Sequence, residues 1–267
     1  MYEAVILAAG KGTRLGKITK RRPKFLIDLY GYPLIYYAIT SLEAIGVSKI
    51  NLVIQDKWLK KAKKILSKFD LYVELNFIGN DDVDRDNGYS FLLAKEHITS
   101  QKFLLTMCDH LFSRIVLEEF VSNARNYESA LMVIAGDANP RFVSVEEATK
   151  ILVDEEGNAL AIGKKIKSFN AVDIGLFVVD KRFYDAIDDV VNKKYVLKLS
   201  DIITEAIKRD CEIKVVRISK SLWTEIDTPE DYFDLYYGKR KEVFEHVRSN
   251  ILLRDSLHLE KTQMIEF

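Results

Sequence analysis

Residues 7–15 read Leu7-Ala8-Ala9-Gly10-Lys11-Gly12-Thr13-Arg14-Leu15, and they continue the apolar run Ala4-Val5-Ile6-Leu7. A short continuous apolar run is typical of a buried strand in a parallel sheet. The small residues that follow leave the backbone bare, so successive amide hydrogens can point at phosphate oxygens. Lys11 and Arg14 add positive charge to the same few residues. The stretch therefore predicts a strand followed by an anion-binding loop.

The glycine spacing of this loop does not by itself identify a ligand, because a strand followed by a plain tight turn carries the same residues. The loop lacks the third glycine of the dinucleotide-binding fingerprint and the Gly-Lys-Ser/Thr ending of the P-loop. A second cation follows closely, since Pro23-Lys24-Phe25-Leu26 begins nine residues after Arg14. Lys24 can therefore return to the mouth of the loop and join Arg14 there.

The composition excludes several classes of function. Lysine plus arginine and aspartate plus glutamate both total 40, so the chain has no overall basic field and we expect no nucleic-acid partner. Any anion site must therefore be local. The two cysteines, Cys108 and Cys211, fit a reducing compartment and, like the four histidines, do not occur at metal-ligand spacing.

The chain carries no pattern that predicts membrane insertion. No signal peptide precedes the first strand, and no apolar run approaches the ~18 residues of a transmembrane span. We therefore expect a cytoplasmic protein without a transmembrane segment. With 267 residues, 48% of them hydrophobic, the chain can form one large domain. We expect that domain over residues 1–235 and a helical C-terminal extension over residues 236–267.

Strands and helices alternate through the first half of the chain. Lys49–Gln55 and Leu71–Ile78 have the composition of strands. Pro33–Ile45, which ends at Gly46, and Trp58–Phe69 have helical spacing. Alternation of this kind is typical of a doubly wound parallel sheet.

The alternation of strands and helices changes from Asp137 onwards. Thr149–Val153 and Ala159–Ile162 flank a polar turn and predict a β-hairpin, and Ala171–Val179 predicts a further strand. The two halves together predict an α/β protein with a doubly wound, mostly parallel, Rossmann-like mixed sheet, a β-hairpin elaboration and a helical C-terminal tail. The remaining predicted elements are helices at Tyr89–His97, Arg114–Tyr127, Lys181–Val191 and Leu199–Lys208 and strands at Ser129–Ile134 and Glu212–Ile218.

Two aspartates stand where a metal ion can be held. The apolar run from Phe103 ends in Asp109, which places a carboxylate at the carboxyl end of a central strand, where open α/β sheets bind ligands. The alternative is a buried structural aspartate that caps the next loop. Asp227 directly precedes a helix start at Thr228 and Pro229, so its side chain is free to point elsewhere. Carboxylate oxygens are the ligands that Mg²⁺ prefers, so we interpret the two aspartates as a magnesium pair.

Two polar segments are candidates for contact with a ligand. Asn87 and Ser90 stand at the start of a predicted helix, where an amide and a hydroxyl either cap the helix or face a ligand. The lysine-rich run Gly163-Lys164-Lys165-Ile166-Lys167 is either a solvated face or part of an anion site.

The loop Leu7–Leu15, taken with Pro23-Lys24, resembles the signature of the sugar-1-phosphate nucleotidyltransferase family, and the resemblance extends over residues 1 to about 235. It implies that the loop binds a nucleoside triphosphate and that Arg14 and Lys24 are catalytic. Asp109 matches the family's first metal aspartate and Asp227 its second, which implies a Mg²⁺ cofactor. The loop residues implied in nucleotide binding are Leu7, Ala8, Ala9, Gly10, Lys11, Gly12 and Thr13.

Within the family, Asp86-Asn87-Gly88-Tyr89-Ser90 looks like the base-contacting stretch of the cytidylyltransferases, which implies that Asn87 and Ser90 bind the nucleotide. Cys108-Asp109-His110 and Ala171-Val172-Asp173-Ile174-Gly175 are similar to the cytidylyltransferases that use inositol-1-phosphate. The resemblance therefore implies transfer of a cytidylyl group from CTP to inositol-1-phosphate, which gives CDP-inositol and pyrophosphate.

The same comparison implies that Asp173 binds the hydroxyl groups of the acceptor and that Lys165, or its neighbour Lys164, binds the acceptor phosphate. The hexose-phosphate enzymes carry Glu-Lys-Pro where this chain has Gly-Lys-Lys, so the choice between the two lysines stays open. Phosphocholine is an alternative acceptor, for which Tyr89 and Trp223 are candidate aromatic contacts. Another sugar-1-phosphate is a further alternative.

A function of a different class is a non-catalytic subunit that senses nucleotides. Loss of Arg14, Lys24, Asp109 or Asp227 would favour it, and all four are present. A Rossmann oxidoreductase is disfavoured by the missing third glycine. The aromatic tail predicts packing back on the domain. The alternatives for the tail are a homodimer face and contact with a membrane phosphatidyltransferase, a domain that fused versions of the inositol enzyme carry.

Overall fold

The protein is described by a computed structural model that covers residues 3–188 and 195–251. Its strands are β1 (Glu3–Leu7), β2 (Asp28–Leu29), β3 (Tyr32–Pro33), β4 (Lys49–Gln55), β5 (Glu74–Asn80), β6 (Lys102–Met107), β7 (His110–Phe112), β8 (Met132–Asp137), β9 (Lys150–Val153), β10 (Ala159–Gly163), β11 (Ala171–Asp180), β12 (Ile213–Arg217) and β13 (Trp223–Glu225). Its helices are α1 (Leu34–Ala44), α2 (Leu59–Leu66), α3 (Asn87–Leu93), α4 (Arg114–Ala124), α5 (Arg182–Ala186), α6 (Leu199–Ile207), α7 (Pro229–Tyr237) and α8 (241–251).

The parallel strands of the first half form the centre of the main sheet. β1 lies between β4 and β6 and pairs in parallel with both, and β5 pairs in parallel with β4. The chain therefore adds β4 and β5 on one side of β1 before it crosses to β6 on the other side. This reversal of strand order leaves a crevice at the carboxyl ends of β1 and β6, where open α/β sheets bind ligands.

The second half of the chain extends this sheet with antiparallel strands. β11 pairs with β6, β8 and β9, the β9–β10 hairpin forms as predicted, and β12 lies parallel to β8 at an edge. The register of β11 against β8 shifts between Asp173 and Phe177, and Gly175 within this shift has a φ of +73°. Such irregularities re-aim neighbouring side chains. The mixed sheet with its helices confirms the predicted fold class.

A two-stranded ribbon, which the sequence did not predict, lies beside the main sheet. β7 and β13 pair antiparallel, so that His110 faces Glu225. The Ile226 N–H then donates to the carbonyl oxygen of Asp109 at 3.0 Å. Each strand has three residues, which is too short for a recognisable alternation of apolar and polar side chains. Pairing in this ribbon places the segment around Asp227 next to Asp109.

Local signals located the other elements closely. The predicted strand Lys49–Gln55 has the same bounds in the structure. The predicted helix start at Thr228 is confirmed by a capping box, in which Thr228 and Asp231 exchange side-chain-to-backbone hydrogen bonds. The predicted strand Leu71–Ile78 is found at Glu74–Asn80. The ends of elements depend on hydrogen bonds to neighbours, which periodicity does not encode.

The ends of helices also differ from the predicted bounds. The predicted helix Arg114–Tyr127 ends at Ala124. The predicted helix Lys181–Val191 is represented by α5, and residues 189–194 lie outside the described residues.

Two hydrophobic layers cover the faces of the sheet. Successive side chains of β1 alternate between them, as the pleat of a strand requires. Ala4 and Ile6 join the layer that contains α1 and α4. Val5 and Leu7 join the layer that contains α3 and α6.

The helix at residues 241–251 packs on the layer that contains α1. Phe244 and Val247 are fully buried, and the Phe244 ring stacks on Tyr30 with centroids 4.4 Å apart. One face of the helix at residues 241–251 therefore packs into the core, and residues 252–267 of the predicted extension lie outside the described residues. Across the ranges that the structure describes, no helix combines the length and apolarity needed to cross a membrane.

Replacing Phe244 by alanine should lower the free energy of unfolding by about 3–5 kcal/mol, because a fully buried aromatic ring is removed. Chemical denaturation followed by circular dichroism measures the change. Tyr237→Ala is the matched control, since the Tyr237 side chain is 87% exposed and should cost little. Equal losses for the two variants would contradict the packing of the tail into the core.

Candidate active site

The loop after β1 opens into a cavity of about 480 Å³ at the carboxyl ends of β1 and β6, which we call the first cavity. Ala8 does not line it, because its side chain is buried and its N–H donates to the Val53 carbonyl at 2.8 Å. The backbone N–H of Ala8 is therefore used in a hydrogen bond to the neighbouring strand β4 and is not available to a ligand. The other loop residues predicted to bind a nucleotide all line the first cavity: Leu7, Ala9, Gly10, Lys11, Gly12 and Thr13.

Gly12 lets Lys24 lie directly against the loop. It has a φ of +63°, which glycine adopts readily, and a Cβ atom at this position would lie 2.8 Å from Cβ of Lys24. The carbonyl oxygen of Gly12 accepts a hydrogen bond from the Thr19 hydroxyl at 3.0 Å. The loop and the lysine are therefore packed as one unit.

Lys24 contacts both of the predicted metal aspartates. Its ammonium group forms an ion pair with Oδ2 of Asp109 and another, at 2.6 Å, with Oδ1 of Asp227. Burial disfavours the charge on Lys24, but the two carboxylates outweigh burial and raise its pKa above the ordinary value. Burial likewise disfavours the charged form of Asp109, yet Lys24 and His110 hold the pKa of that carboxyl well below its usual range. Lys24 and Asp109 are therefore both charged at neutral pH.

Two further cations of the loop region are paired with carboxylates. Nη2 of Arg14 lies 2.6 Å from Oδ2 of Asp227. The ammonium group of Lys11 pairs with Asp84 at the mouth of the first cavity. Both cations are about half exposed, so a bound anion can reach them.

His110 contacts the oxygen of Asp109 that Lys24 does not contact. Its Nδ1 lies 2.7 Å from Oδ1 of Asp109, and its Nε2 lies 3.6 Å from Oε2 of Glu225. Burial disfavours the imidazolium, but Asp109 and Glu225 raise the pKa of His110 to about 9. Gly175 makes room for the ring, because a Cβ atom there would overlap His110. The charged ring thus fixes the orientation of the Asp109 carboxylate.

Neither Asn87 nor Ser90 caps its own helix. The cap of α3 is Asp86, whose carboxylate accepts the Asn87 N–H at 2.7 Å. Ser90 lines the first cavity, and its hydroxyl accepts a hydrogen bond from Nδ2 of Asn80 at 2.9 Å. Asn87 also lines the first cavity, while its Oδ1 accepts the N–H of Leu199, the first residue of α6, at 2.9 Å.

A second cavity, of about 690 Å³, adjoins the first. The three residues predicted to bind an acceptor, Lys164, Lys165 and Asp173, all line it, and both lysines are exposed. Burial raises the pKa of Asp173 to about 6. The residues that line both cavities are Arg14, Asp86, Asn87 and Met107. Further polar residues of the second cavity, which no sequence pattern had marked, are Thr149, Lys198, Ser200 and Asp201.

Residues 4–194 match the family of MobA-like NTP transferase domains. The chain belongs to this family. It is 32% identical over 228 residues to the bifunctional IPC transferase and DIPP synthase of Aquifex aeolicus, and 33% identical over 228 residues to that of Thermococcus kodakarensis. Both alignments cover 85% of this chain, and they cover 49% and 48% of the two relatives. The chain thus spans about half the length of these relatives.

The fold of this NTP transferase domain has a close counterpart among solved structures. The inositol-1-phosphate CTP transferase from T. maritima matches it with a TM-score of 0.82 and 29% sequence identity. The match covers 94% of this chain and 96% of the T. maritima chain. The likeness therefore extends over nearly the whole of both chains and is not confined to one motif.

The carboxylates of Asp109 and Asp227 converge on the ammonium group of Lys24. Because Asp109 and Asp227 both contact Nζ of Lys24, both are within reach of one small cation. In residues 3–188 and 195–251, no group of three or more His, Cys, Asp or Glu side chains is arranged to hold a metal ion by itself. Mg²⁺ commonly binds through one or two carboxylates plus water and substrate phosphate. The donor set of this site fits that mode of binding.

Several supporting residues escaped prediction. Nε2 of Gln55 donates to the Ala9 carbonyl at 2.8 Å and so holds the loop, and Asn80 holds Ser90. Gln55 and Asn80 are the last residues of β4 and β5. Polar residues at the carboxyl ends of parallel strands are therefore a signal that could have found them. Glu225 gave no such signal, because its place follows from the unpredicted ribbon.

Asp173→Asn should stabilise the protein at neutral pH. The folded pKa of Asp173, about 6, lies above its ordinary value of 3.8. Between these values the unfolded chain loses the proton first, so wild-type stability falls as pH rises from about 4 to 6. Asparagine does not ionise, so the variant does not lose stability over this pH range. We expect a midpoint of thermal unfolding about 2–4 °C above wild type at pH 7, the shift that about 1 kcal/mol produces in a domain near this size.

Calorimetry at pH 4 and pH 7 tests this expectation. The gain from Asp173→Asn should be much smaller at pH 4, because the folded carboxyl is protonated there and the unfolded carboxyl, near its ordinary pKa of 3.8, has lost only part of its protons. Asp70→Asn is the control, because Asp70 is exposed and its replacement should bring no comparable gain. A gain of equal size at both pH values would contradict the argument.

Proposed function

We propose that this NTP transferase domain transfers a cytidylyl group from CTP to inositol-1-phosphate, giving CDP-inositol and pyrophosphate. The observation that carries the proposal is the direct junction of two polar cavities, one formed by the glycine-rich loop and one lined by Lys164 and Lys165. Two substrates that must react with each other need such adjoining sites. The names of the relatives, IPC transferase and inositol-1-phosphate CTP transferase, support this particular pair of substrates.

The proposed reaction requires no general base. A phosphomonoester has its second pKa near ~6, so the acceptor phosphate is largely dianionic at neutral pH. One of its oxygens forms a bond to the α-phosphorus of CTP, and the bond from that phosphorus to the oxygen bridging to the β-phosphate breaks, which releases pyrophosphate. The protein must hold two polyanions in line and stabilise the charge that develops between them.

The residues of the first cavity can perform this task. The amides of Gly10 and Gly12 and the guanidinium of Arg14 bind the triphosphate. Lys24 lies against Gly12 and stabilises the charge on the α-phosphate during transfer. When bound, Mg²⁺ held by Asp109 and Asp227 would neutralise further phosphate charge as a Lewis acid.

The residues of the second cavity fit a phosphorylated polyol. Lys164 or Lys165 binds the acceptor phosphate, and Asp173 accepts hydrogen bonds from ring hydroxyls. Phosphocholine finds less support, because no aromatic side chain of the described residues lines this cavity. Trp223 is buried, with its Nε1 donating to Asp137 at 2.7 Å, and Tyr89 packs against Arg85.

The partners of the proposed enzyme stay predictions. Contact with a membrane phosphatidyltransferase, an enzyme that would consume CDP-inositol, stays one alternative for the tail. A homodimer is the other alternative, and a cytoplasmic location stays a prediction of the sequence.

Pyrophosphate release in the presence of Mg²⁺ tests the proposal. The assay crosses CTP, UTP, dTTP, ATP and GTP with inositol-1-phosphate, phosphocholine and glucose-1-phosphate. We expect turnover confined to CTP with inositol-1-phosphate. Release with a hexose phosphate and another nucleotide would replace the acceptor assignment, and no release with any pair would favour a nucleotide-sensing subunit.

Lys24→Met should lower kcat by about 100- to 1000-fold, because it removes a preorganised charge at the reacting phosphate. The KM for inositol-1-phosphate should change little. Lys20→Met is the control, since Lys20 is exposed in the same segment. Steady-state kinetics measures both, and a Lys24→Met enzyme with wild-type kcat would remove Lys24 from the proposed mechanism.

A further inference from the structure

Two segments that are distant in sequence are joined by hydrogen bonds between the cavities. The first, residues 82–90, borders the first cavity, and the second, residues 195–201, borders the second cavity. The Leu197 N–H donates to the Arg85 carbonyl at 2.9 Å, and the Gly88 N–H donates to the Leu197 carbonyl at 2.9 Å. Both the N–H and the carbonyl of Leu197 are thus hydrogen-bonded to the segment that borders the first cavity.

Gly88 permits this close approach. A Cβ atom at position 88 would overlap the Leu197 carbonyl oxygen, so a side chain there would push the two segments apart. At the outer end of the contact, the Tyr195 hydroxyl donates to Oδ2 of Asp82 at 2.7 Å. The two segments therefore form one connected wall between the cavities.

The side chain of Asn87 completes the connection. Its Oδ1 accepts the N–H of Leu199 at 2.9 Å, and this N–H belongs to the first turn of α6, where the helix offers no carbonyl partner. The side chain of the residue before the helix, Lys198, makes no capping hydrogen bond. Asn87 therefore acts as the cap of a helix that lies 112 residues away in sequence.

The capped turn of α6 forms part of the second cavity. Lys198, Ser200 and Asp201 all line it, next to the residues proposed to bind the acceptor. Because Oδ1 of Asn87 is used by α6, its other polar atom, Nδ2, is the one available to a ligand. Nδ2 has no hydrogen-bond partner within residues 3–188 and 195–251, and Asn87 lines both cavities.

We propose that Asn87 is a positioning residue for the acceptor as well as a contact for the nucleotide. Its carbonyl oxygen holds the first turn of α6 in the conformation that presents Lys198, Ser200 and Asp201 to the acceptor. Its amide group faces the nucleotide. This inference rests on the proposed function, since it assigns the two cavities to nucleotide and acceptor.

The arrangement couples the two binding events. A nucleotide that holds the amide of Asn87 also fixes the carbonyl group of the same side chain, and hence the acceptor wall. Linkage requires the effect to be reciprocal, so a bound acceptor also raises the affinity for the nucleotide. The coupling passes through one side chain, which makes it separable by substitution.

Two substitutions of Asn87 separate the roles. Asn87→Asp keeps an oxygen that accepts the Leu199 N–H, and a negative charge suits a helix N-terminus, but it loses the amide donor. Asn87→Ala loses both. We expect both variants to raise the KM for CTP, and only Asn87→Ala to raise the KM for inositol-1-phosphate, by about 3- to 10-fold, the effect of losing one cap.

Amide hydrogen exchange, measured on the same proteins without substrate, reports whether Asn87 caps α6. The peptide that contains Leu199 and Ser200 should exchange faster in Asn87→Ala than in wild type, and at the wild-type rate in Asn87→Asp. Ser90→Ala is the matched control on the nucleotide side, because it should raise the KM for CTP and leave this exchange unchanged.

The outcomes distinguish this inference from the proposed function. Equal acceptor KM values for Asn87→Ala and Asn87→Asp, or unchanged exchange at Leu199 in Asn87→Ala, would overturn the positioning role. Absence of pyrophosphate release by the wild-type enzyme with CTP and inositol-1-phosphate would overturn the function instead, and the exchange comparison would still decide whether Asn87 holds α6.

Discussion

The ion pairs of one buried lysine hold the site together. Lys24 contacts Asp109 after the end of β6 and Asp227 after the ribbon, and the start of its side chain lies against Gly12 of the glycine-rich loop. Two largely buried carboxylates in such proximity repel each other and lose hydration, and removal of their shared cation would leave negative charge that is poorly solvated and unpaired. The loop, the central strand and the ribbon therefore converge on a single ammonium group. His110, which contacts the other oxygen of Asp109, adds a second positive charge to the same network.

The charges of the site balance one another before any ligand binds. Lys11, Arg14 and Lys24 are each paired with a carboxylate of this chain, so a polyanionic substrate exchanges partners with groups already in place. A site of this kind is oriented in advance, which lowers the reorganisation needed when charge develops during transfer. In the proposed reaction, the carboxylates that a phosphate displaces would be free to hold a metal ion, so binding of the metal and of the nucleotide would be linked.

The fold was predictable where the signal is local. The apolar run before Gly10, the strand Lys49–Gln55 and the capping box at Thr228 each depend on residues within a few positions of each other, and each appears in the structure. The ribbon of β7 and β13 was not predictable, because strands of three residues carry no periodicity and gain their stability from pairing with each other. Asn87 shows the same limit, since its hydrogen-bond partner Leu199 belongs to a distant helix.

The amino-acid sequence alone specified which chemical groups the site contains: a glycine-rich loop with Arg14 and Lys24, and two aspartates, one at the end of an apolar run and one just before a capped helix. The tertiary structure decided how those groups meet. Only the ribbon sets Asp227 beside Asp109, and only burial and proximity decide that His110 is charged and that the pKa of Asp173 is raised. Electrostatic energies depend on the distance between charges and on their exposure to solvent, and the fold sets both of these for residues that are far apart in sequence.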